Sequence, residues 1–143
     1  MKKLFLFLSV SVFMLSLNSC SSDNNSSSSK KIAFKINGTS KTFTNIDVYE
    51  ADGEKYITGY IGPSNDPSEV ISIIADANNT GNTIISVVYY DNGNDYDGGL
   101  NANITVNTDT KFKATFSGTM IAFSDGTEVP LTNGSVDISF TLE

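Results

Sequence analysis

The chain has 143 residues, 16 Asp and Glu against 9 cations, and a formal net charge of −7. All the cations are Lys, so the clustered Lys and Arg that neutralise phosphates are missing, which excludes nucleic acid as a partner. With one Cys and no His, the chain has no intramolecular disulfide, no Ser-His-Asp or Cys-His site and no zinc site of ordinary composition.

Lys2 and Lys3 are followed by Leu4 to Leu17, an apolar run of 14 residues relieved only by serines. This is the layout of a secretory signal, and the run is shorter than the roughly 20 residues of a membrane span. Residues 1–19 are therefore expected to be a signal peptide. Leu17-Asn18-Ser19-Cys20 then resembles the lipobox of bacterial lipoproteins, with Leu17 and Ser19 at its apolar and small positions and Asn18 where Ala or Ser is commoner. That resemblance implies that the Cys20 thiol carries a diacylglyceryl group and that the amine exposed by cleavage is acylated, palmitate being a typical chain. Two or more acyl chains, at about 0.8 kcal/mol per buried methylene, hold a protein on a membrane stably.

Ser21 to Ser29 is all Ser, Asp and Asn and cannot bury anything, so residues 20–30 read as the lipidated Cys and a tether on the order of 15–20 Å long. Cleavage before Cys20 leaves 124 residues, with seven Lys against sixteen acids, a net charge near −9. Residues 31–143 form the remaining domain, large enough for one core.

From Lys31 onward the pattern has period two and is punctuated by turn dipeptides, which predicts antiparallel strands. Ile32, Phe34 and Ile36 alternate with Ala33 and Lys35 until Asn37-Gly38 turns the chain. Asp52-Gly53 centres a second hairpin, and a two-residue loop sets its register: Tyr49 opposite Tyr56, Val48 opposite Ile57, Asp47 opposite Thr58, Ile46 opposite Gly59. Ile46, Val48, Ile57 and Ile61 then share the core face, and Asn45, Asp47, Tyr49, Tyr56, Thr58 and Tyr60 the other.

Val70 to Ala77 and Thr83 to Tyr90 are nearly continuous apolar runs, expected as central strands covered on both faces. Asp91 to Gly99 reads as a long polar loop. It holds the richest set of oxygen ligands, Asp91, Asp95 and Asp97, which leaves two readings open: a solvated loop, or a calcium site. Ala102, Ile104 and Val106 alternate with Asn101, Asn103, Thr105 and Asn107 in a half-solvated strand. Phe112, Ala114, Phe116, Gly118, Met120 and Ala122 occupy one face of a longer strand. Two turns are expected after it: Asp125-Gly126, pairing Ala122 with Val129 and Met120 with Leu131, and Asn133-Gly134, pairing Leu131 with Val136 and Val129 with Ile138. Phe140 and Leu142 extend the last inward row.

About nine strands and no helix predict an all-β fold, a small antiparallel β-sandwich or a closed barrel of the same strands with a C-terminal meander. Thr58-Gly59, the Gly81 to Tyr90 strand, Phe112 to Gly118 and Thr132-Asn133-Gly134-Ser135-Val136 resemble a family of small uncharacterised Bacteroidota lipoproteins, in which an FSGT-like strand is followed by a TNGS-like one. The resemblance implies a β fold and brings no activity with it.

The function expected is therefore non-enzymatic, with no cofactor: an outer-membrane lipoprotein, on the periplasmic or cell-surface face, presenting a binding or adhesion domain. Asp47, Tyr49, Tyr56 and Tyr60 are the candidate ligand face, since stacking rings beside a carboxylate suit a glycan or a peptide. Rings bracing the strand pair, or buried under the long loop, are the alternative. Ile121 and Phe123 also point away from the core, which suits a structural or accessory subunit docked on a protein partner, unless the Lys31 segment covers them.

Overall fold

The computed structural model describes residues 30–142. The signal peptide, the lipidated Cys20 and the tether Ser21 to Ser29 lie outside the described residues.

The described chain is all-β. Its strands are β1 (Lys31–Ile36), β2 (Thr39–Phe43), β3 (Asn45–Ala51), β4 (Glu54–Ile61), β5 (Glu69–Asp76), β6 (Gly81–Asp91), β7 (Asn94–Thr108), β8 (Lys111–Ala122) and β9 (Glu128–Ser139). All nine form one antiparallel sheet in the order β2-β1-β9-β8-β7-β6-β5-β4-β3. The first strand thus meets the last, and the two edges, β2 and β3, are separated in sequence by Thr44 alone. Counted across the sheet, β2 and β3 run in the same direction, so they are halves of one bent strand. The first half pairs with β1 and the second with β4. Of the two architectures left open by the sequence, this is the barrel, nearly closed, with its seam at Thr44.

Gly59 makes the seam possible. A Cβ built there would lie 2.9 Å from the Phe43 Cβ and 3.2 Å from Ile32 Cδ1, so only glycine lets β2 settle against β4.

Alternate side chains point inward and fill the barrel, as expected for so few strands. Ile32, Phe34, Phe43, Ile57, Ile71, Ile73, Ile85, Val87, Leu100, Ile104, Phe112, Met120, Leu131 and Ile138 are all buried. At the centre Phe34 stacks on Phe43 with ring centroids 5.8 Å apart, and both meet Tyr89 edge-on, at 5.3 and 6.4 Å. Each such side chain contributes about 1.5–3 kcal/mol by leaving water.

Asn37-Gly38 and Asp52-Gly53 turn the chain with left-handed φ values of 46° and 79°, and 54° and 82°, the conformation of a two-residue hairpin loop. The β3–β4 register matches the expected one at every pair.

Four expectations need correction. Asp91 to Gly99 is no loop: Asn92 and Gly93 (φ 48° and 96°) form a third tight turn, and β7 starts at Asn94. Asn133-Gly134 does not turn the chain either. β9 runs straight through it, with Asn133 (φ 53°) in a bulge opposite the Phe116–Gly118 step, because β9 must pair with β1 on its other edge. The β8–β9 loop spans Phe123 to Thr127 and pairs Met120 with Val129 and Ile121 with Glu128, two residues from the expected register. A shift of two keeps every side chain on its face, so the inward row survives. Finally, β6 is covered on one face only, with Ile84 71% exposed and Val88 38%, and the outward Val70, Ser72 and Ile74 of β5 are half-buried. No helix among the described residues is long and apolar enough to cross a membrane.

Candidate functional site

The predicted ligand face lies together on the outer wall. Tyr49 and Tyr56, opposite each other on β3 and β4, stack with centroids 4.7 Å apart and planes within 1° of parallel. Tyr49 is 54% exposed. The Tyr56 hydroxyl donates to Glu54 Oε2 at 2.7 Å, and that bond, with burial, raises its pKa. Partial burial, and then the neighbouring Asp47 carboxylate, raise the pKa of Tyr60. Both phenols therefore stay neutral donors.

Neighbouring strands continue the surface. Ile74 follows Tyr56 across the sheet, and Val70 and then Tyr90 follow Tyr60. Between these rows Thr58 and Ser72 join hydroxyls at 3.0 Å. The result is an aromatic and aliphatic panel over β3 to β6. No long loop covers it, since the segment expected to do so is strand.

The three acids proposed for calcium are not brought together. Asp91 shares the inward parity of Tyr89 and lies at a barrel mouth, whereas Asp95 and Asp97, opposite Tyr90 and Val88, lie on the outer wall. Among the described residues no group of three or more His, Cys, Asp or Glu is placed to hold a metal. The calcium reading is set aside.

Two lysines missed by the sequence reading organise the barrel ends. At the end where β2 starts, Lys41 Nζ lies 2.9 Å from Glu69 Oε2 and 3.0 Å from Asp91 Oδ2. The Tyr89 hydroxyl donates to the same Glu69 oxygen at 2.7 Å. Burial alone would lower the Lys41 pKa, but the two carboxylates outweigh it and raise it; for Asp91 burial pulls upward and the Lys41 ammonium more than offsets it. A small cavity of about 170 Å³ sits here, lined by Ile36, Thr39, Lys41, Tyr89, Asp91 and Tyr96.

At the other end Lys55 is fully buried. Its ammonium donates to Asn107 Oδ1 at 2.7 Å and to the Thr108 carbonyl at 2.8 Å, pairs with Glu50 Oε1 at 2.9 Å, and lies 5.2 Å from the Phe140 ring centre. Asn107 donates in turn to the carbonyls of Asp76 and Asn79, both at 2.9 Å. Strict alternation places Asn107 in solvent. A bulge between Ile104 and Val106 reverses the alternation and turns it inward.

A groove of about 1000 Å³ crosses the outer wall of β6 to β9, also missed by the sequence reading. Its outward side chains form two rows set by the register. In one, Asn82 faces Asn103, which faces Thr115, which faces Ser135; in the other, Ile84 faces Asn101, which faces Ser117, beside Asn133 in the bulge. On the inward side Gly134 lies under the Phe116 ring, where a Cβ would come within 2.5 Å of the Phe116 carbonyl oxygen. Glycine and bulge together bend this wall.

Ile121 and Phe123 are 45% and 62% exposed. β1 pairs with β9 and does not cover them, and β8 is flanked on both sides by strands.

The chain matches no protein-family model, no curated protein and no solved structure.

Proposed function

We propose that this protein is an exported lipoprotein of the outer membrane, akin to the small Bacteroidota lipoproteins it resembles, that displays a non-enzymatic binding domain. Acyl chains on Cys20 hold it, Ser21 to Ser29 give it reach, and the barrel presents the ligand face on its outer wall. The observation that carries the binding reading is the aromatic panel: exposed Tyr49 stacked on half-buried Tyr56, with half-buried Tyr60 and exposed Asp47 beside them on a paired strand framework. The barrel interior is occupied by its own side chains, so recognition falls to the outside. The absence of His, and a lone Cys committed to the anchor, support a role without catalysis.

Radiolabelled palmitate is expected to enter the wild type and not Cys20→Ala; equal labelling removes the anchor. A glycan and peptide panel comparing the wild type with Tyr56→Ala/Tyr60→Ala addresses the face. Loss of one class of ligand is expected, and identical profiles remove the tyrosine reading.

Exposed Ile121 and Phe123 favour a second reading, an accessory subunit docked on an outer-membrane or secretion complex. Crosslinking and pull-down from intact cells should then recover a partner with the wild type and lose it with Ile121→Ser/Phe123→Ser.

A further inference from the structure

We propose that the groove over β6 to β9 is a second binding site, for an uncharged glycan chain. It is independent of the tyrosine face, which lies on a different part of the wall.

The first reason is the chemistry of the lining. The two rows offer amides and hydroxyls and no charged side chain, in a protein with 25 charged residues. Charges stand at adjoining register positions instead: Lys35 is opposite Thr132, and Lys113 pairs with Asp137 at 3.2 Å. Taking a charge out of water against a neutral ligand is costly, so a lining of neutral groups favours a neutral ligand. Each Asn amide places a donor beside an acceptor, and each sugar hydroxyl is both, so neighbouring hydroxyls can satisfy one amide from both sides.

The second reason is that these groups are uncommitted. Of the two rows, Ser135 is the exception and turns back onto the backbone, donating to the Ala33 carbonyl at 3.5 Å. Asn82, Asn101, Asn103, Thr115 and Ser117 make no side-chain hydrogen bond within the described residues. They are exposed, and their spacing is held by the sheet. A ligand finds them already placed, which reduces the ordering cost of binding.

The third reason is shape. Four strands at about 4.8 Å spacing give a track of roughly 14 Å across the sheet, long enough for an oligosaccharide rather than a single ring. Ile84, 71% exposed and leaning over Gly99, supplies an apolar platform at one end for the C–H face of a sugar. A peptide strand is the competing occupant. It binds a sheet through a free backbone edge, and here β7 and β8 are paired on both sides, so recognition rests on side chains alone.

The test uses the purified full chain in detergent, labelled with ¹⁵N. Probes are neutral hexasaccharides of glucose, mannose and xylose, with a hexamer of uronic acid and an uncharged Gly/Ser/Asn peptide as comparators. At least one neutral hexasaccharide is expected to shift the side-chain amide signals of Asn101 and Asn103 saturably. Asn101→Ala/Asn103→Ala should weaken that binding tenfold or more, Ser117→Tyr should block it by filling the groove, and Tyr56→Ala/Tyr60→Ala should leave it unchanged. The proposal is overturned if no neutral hexasaccharide binds at millimolar concentration, or if only the uronic acid or the peptide binds. Binding kept within twofold in both groove variants, or lost in the tyrosine variant instead, also overturns it, the last outcome assigning the glycan to the other face.

Discussion

Lys55 Nζ and Asn107 Oδ1 are 2.7 Å apart inside the barrel, although their strands, β4 and β7, are separated in the sheet by β5 and β6. Lys41 does the same at the opposite end, reaching from β2 to Glu69 on β5 and Asp91 on β6. Each of these lysines, Lys55 buried and Lys41 half-buried, links strands that a flat sheet would hold far apart. The two ends of the barrel are thus closed by ion pairs and hydrogen bonds, and the middle by apolar packing.

Replacing Lys55 by Met keeps much of the volume and removes the ammonium, leaving Asn107 Oδ1 and the Thr108 carbonyl without their donor. Removing one partner of a buried charge network costs about 3 kcal/mol, and a urea midpoint should fall accordingly. Asn107→Ala should cost less, and the double variant less than the sum, because both remove the Lys55–Asn107 bond. Strict additivity would show that the network is not one unit.

The Lys41 cluster makes stability depend on pH at both extremes. Asp91 lies below its ordinary 3.8 when folded, so its contribution is present above that value and is lost as pH falls through the lowered pKa. Lys41 lies above its ordinary 10.5, so its contribution is full below that value and is lost as pH rises through the raised one. Tyr89, raised first by burial and then by its bond to Glu69, resists ionisation when folded, which lowers stability once the unfolded phenol ionises above its ordinary 10.0. A melting-temperature profile should be flat between about pH 4 and 10 and fall on either side. In Lys41→Met the acid limb should shrink, because Asp91 no longer gains a partner on folding.

Gly134→Ala should destabilise by about 1–3 kcal/mol, since the new methyl meets the Phe116 carbonyl oxygen and ring. Phe116→Leu cannot relieve the contact with the backbone oxygen, so the combined variant should stay destabilised. Thermal melts of the three variants decide this, and a wild-type melting temperature for Gly134→Ala would contradict the packing.

Calcium or EDTA should leave the melting temperature unchanged. A specific ion raises it by mass action, and Asp91 is separated from Asp95 and Asp97 by the barrel wall. A rise that saturates with calcium and disappears in Asp95→Asn would show that the acids meet after all.

The β3–β4 hairpin was legible in full, and with it the tyrosine face. Asp-Gly favours left-handed φ at two successive positions, a two-residue loop admits one register, and one register determines which residues share a face. Asn-Gly at 133–134 carries the same local preference and reads wrongly as a hairpin, because a bulge satisfies a left-handed Asn equally well. The pairing of β9 with β1, about a hundred residues away, decides between them. Asn92-Gly93 was hidden for the opposite reason: its flanks are polar, so nothing in the alternation marked the strands on either side.

By itself the sequence determined the all-β class and most of the inward rows, since these depend on residue type and on the two-residue period of a strand. It also carries Leu17 to Cys20, whose reading as an anchor depends on local pattern alone. Only the tertiary structure decided that one sheet curls into a barrel with its seam at Thr44, that a bulge turns Asn107 inward to Lys55, and that four strands gather scattered Asn, Ser and Thr residues into one groove. Each of these depends on which strands become neighbours. That is settled by contacts distant in sequence, where closing the barrel buries apolar rows no single hairpin could cover.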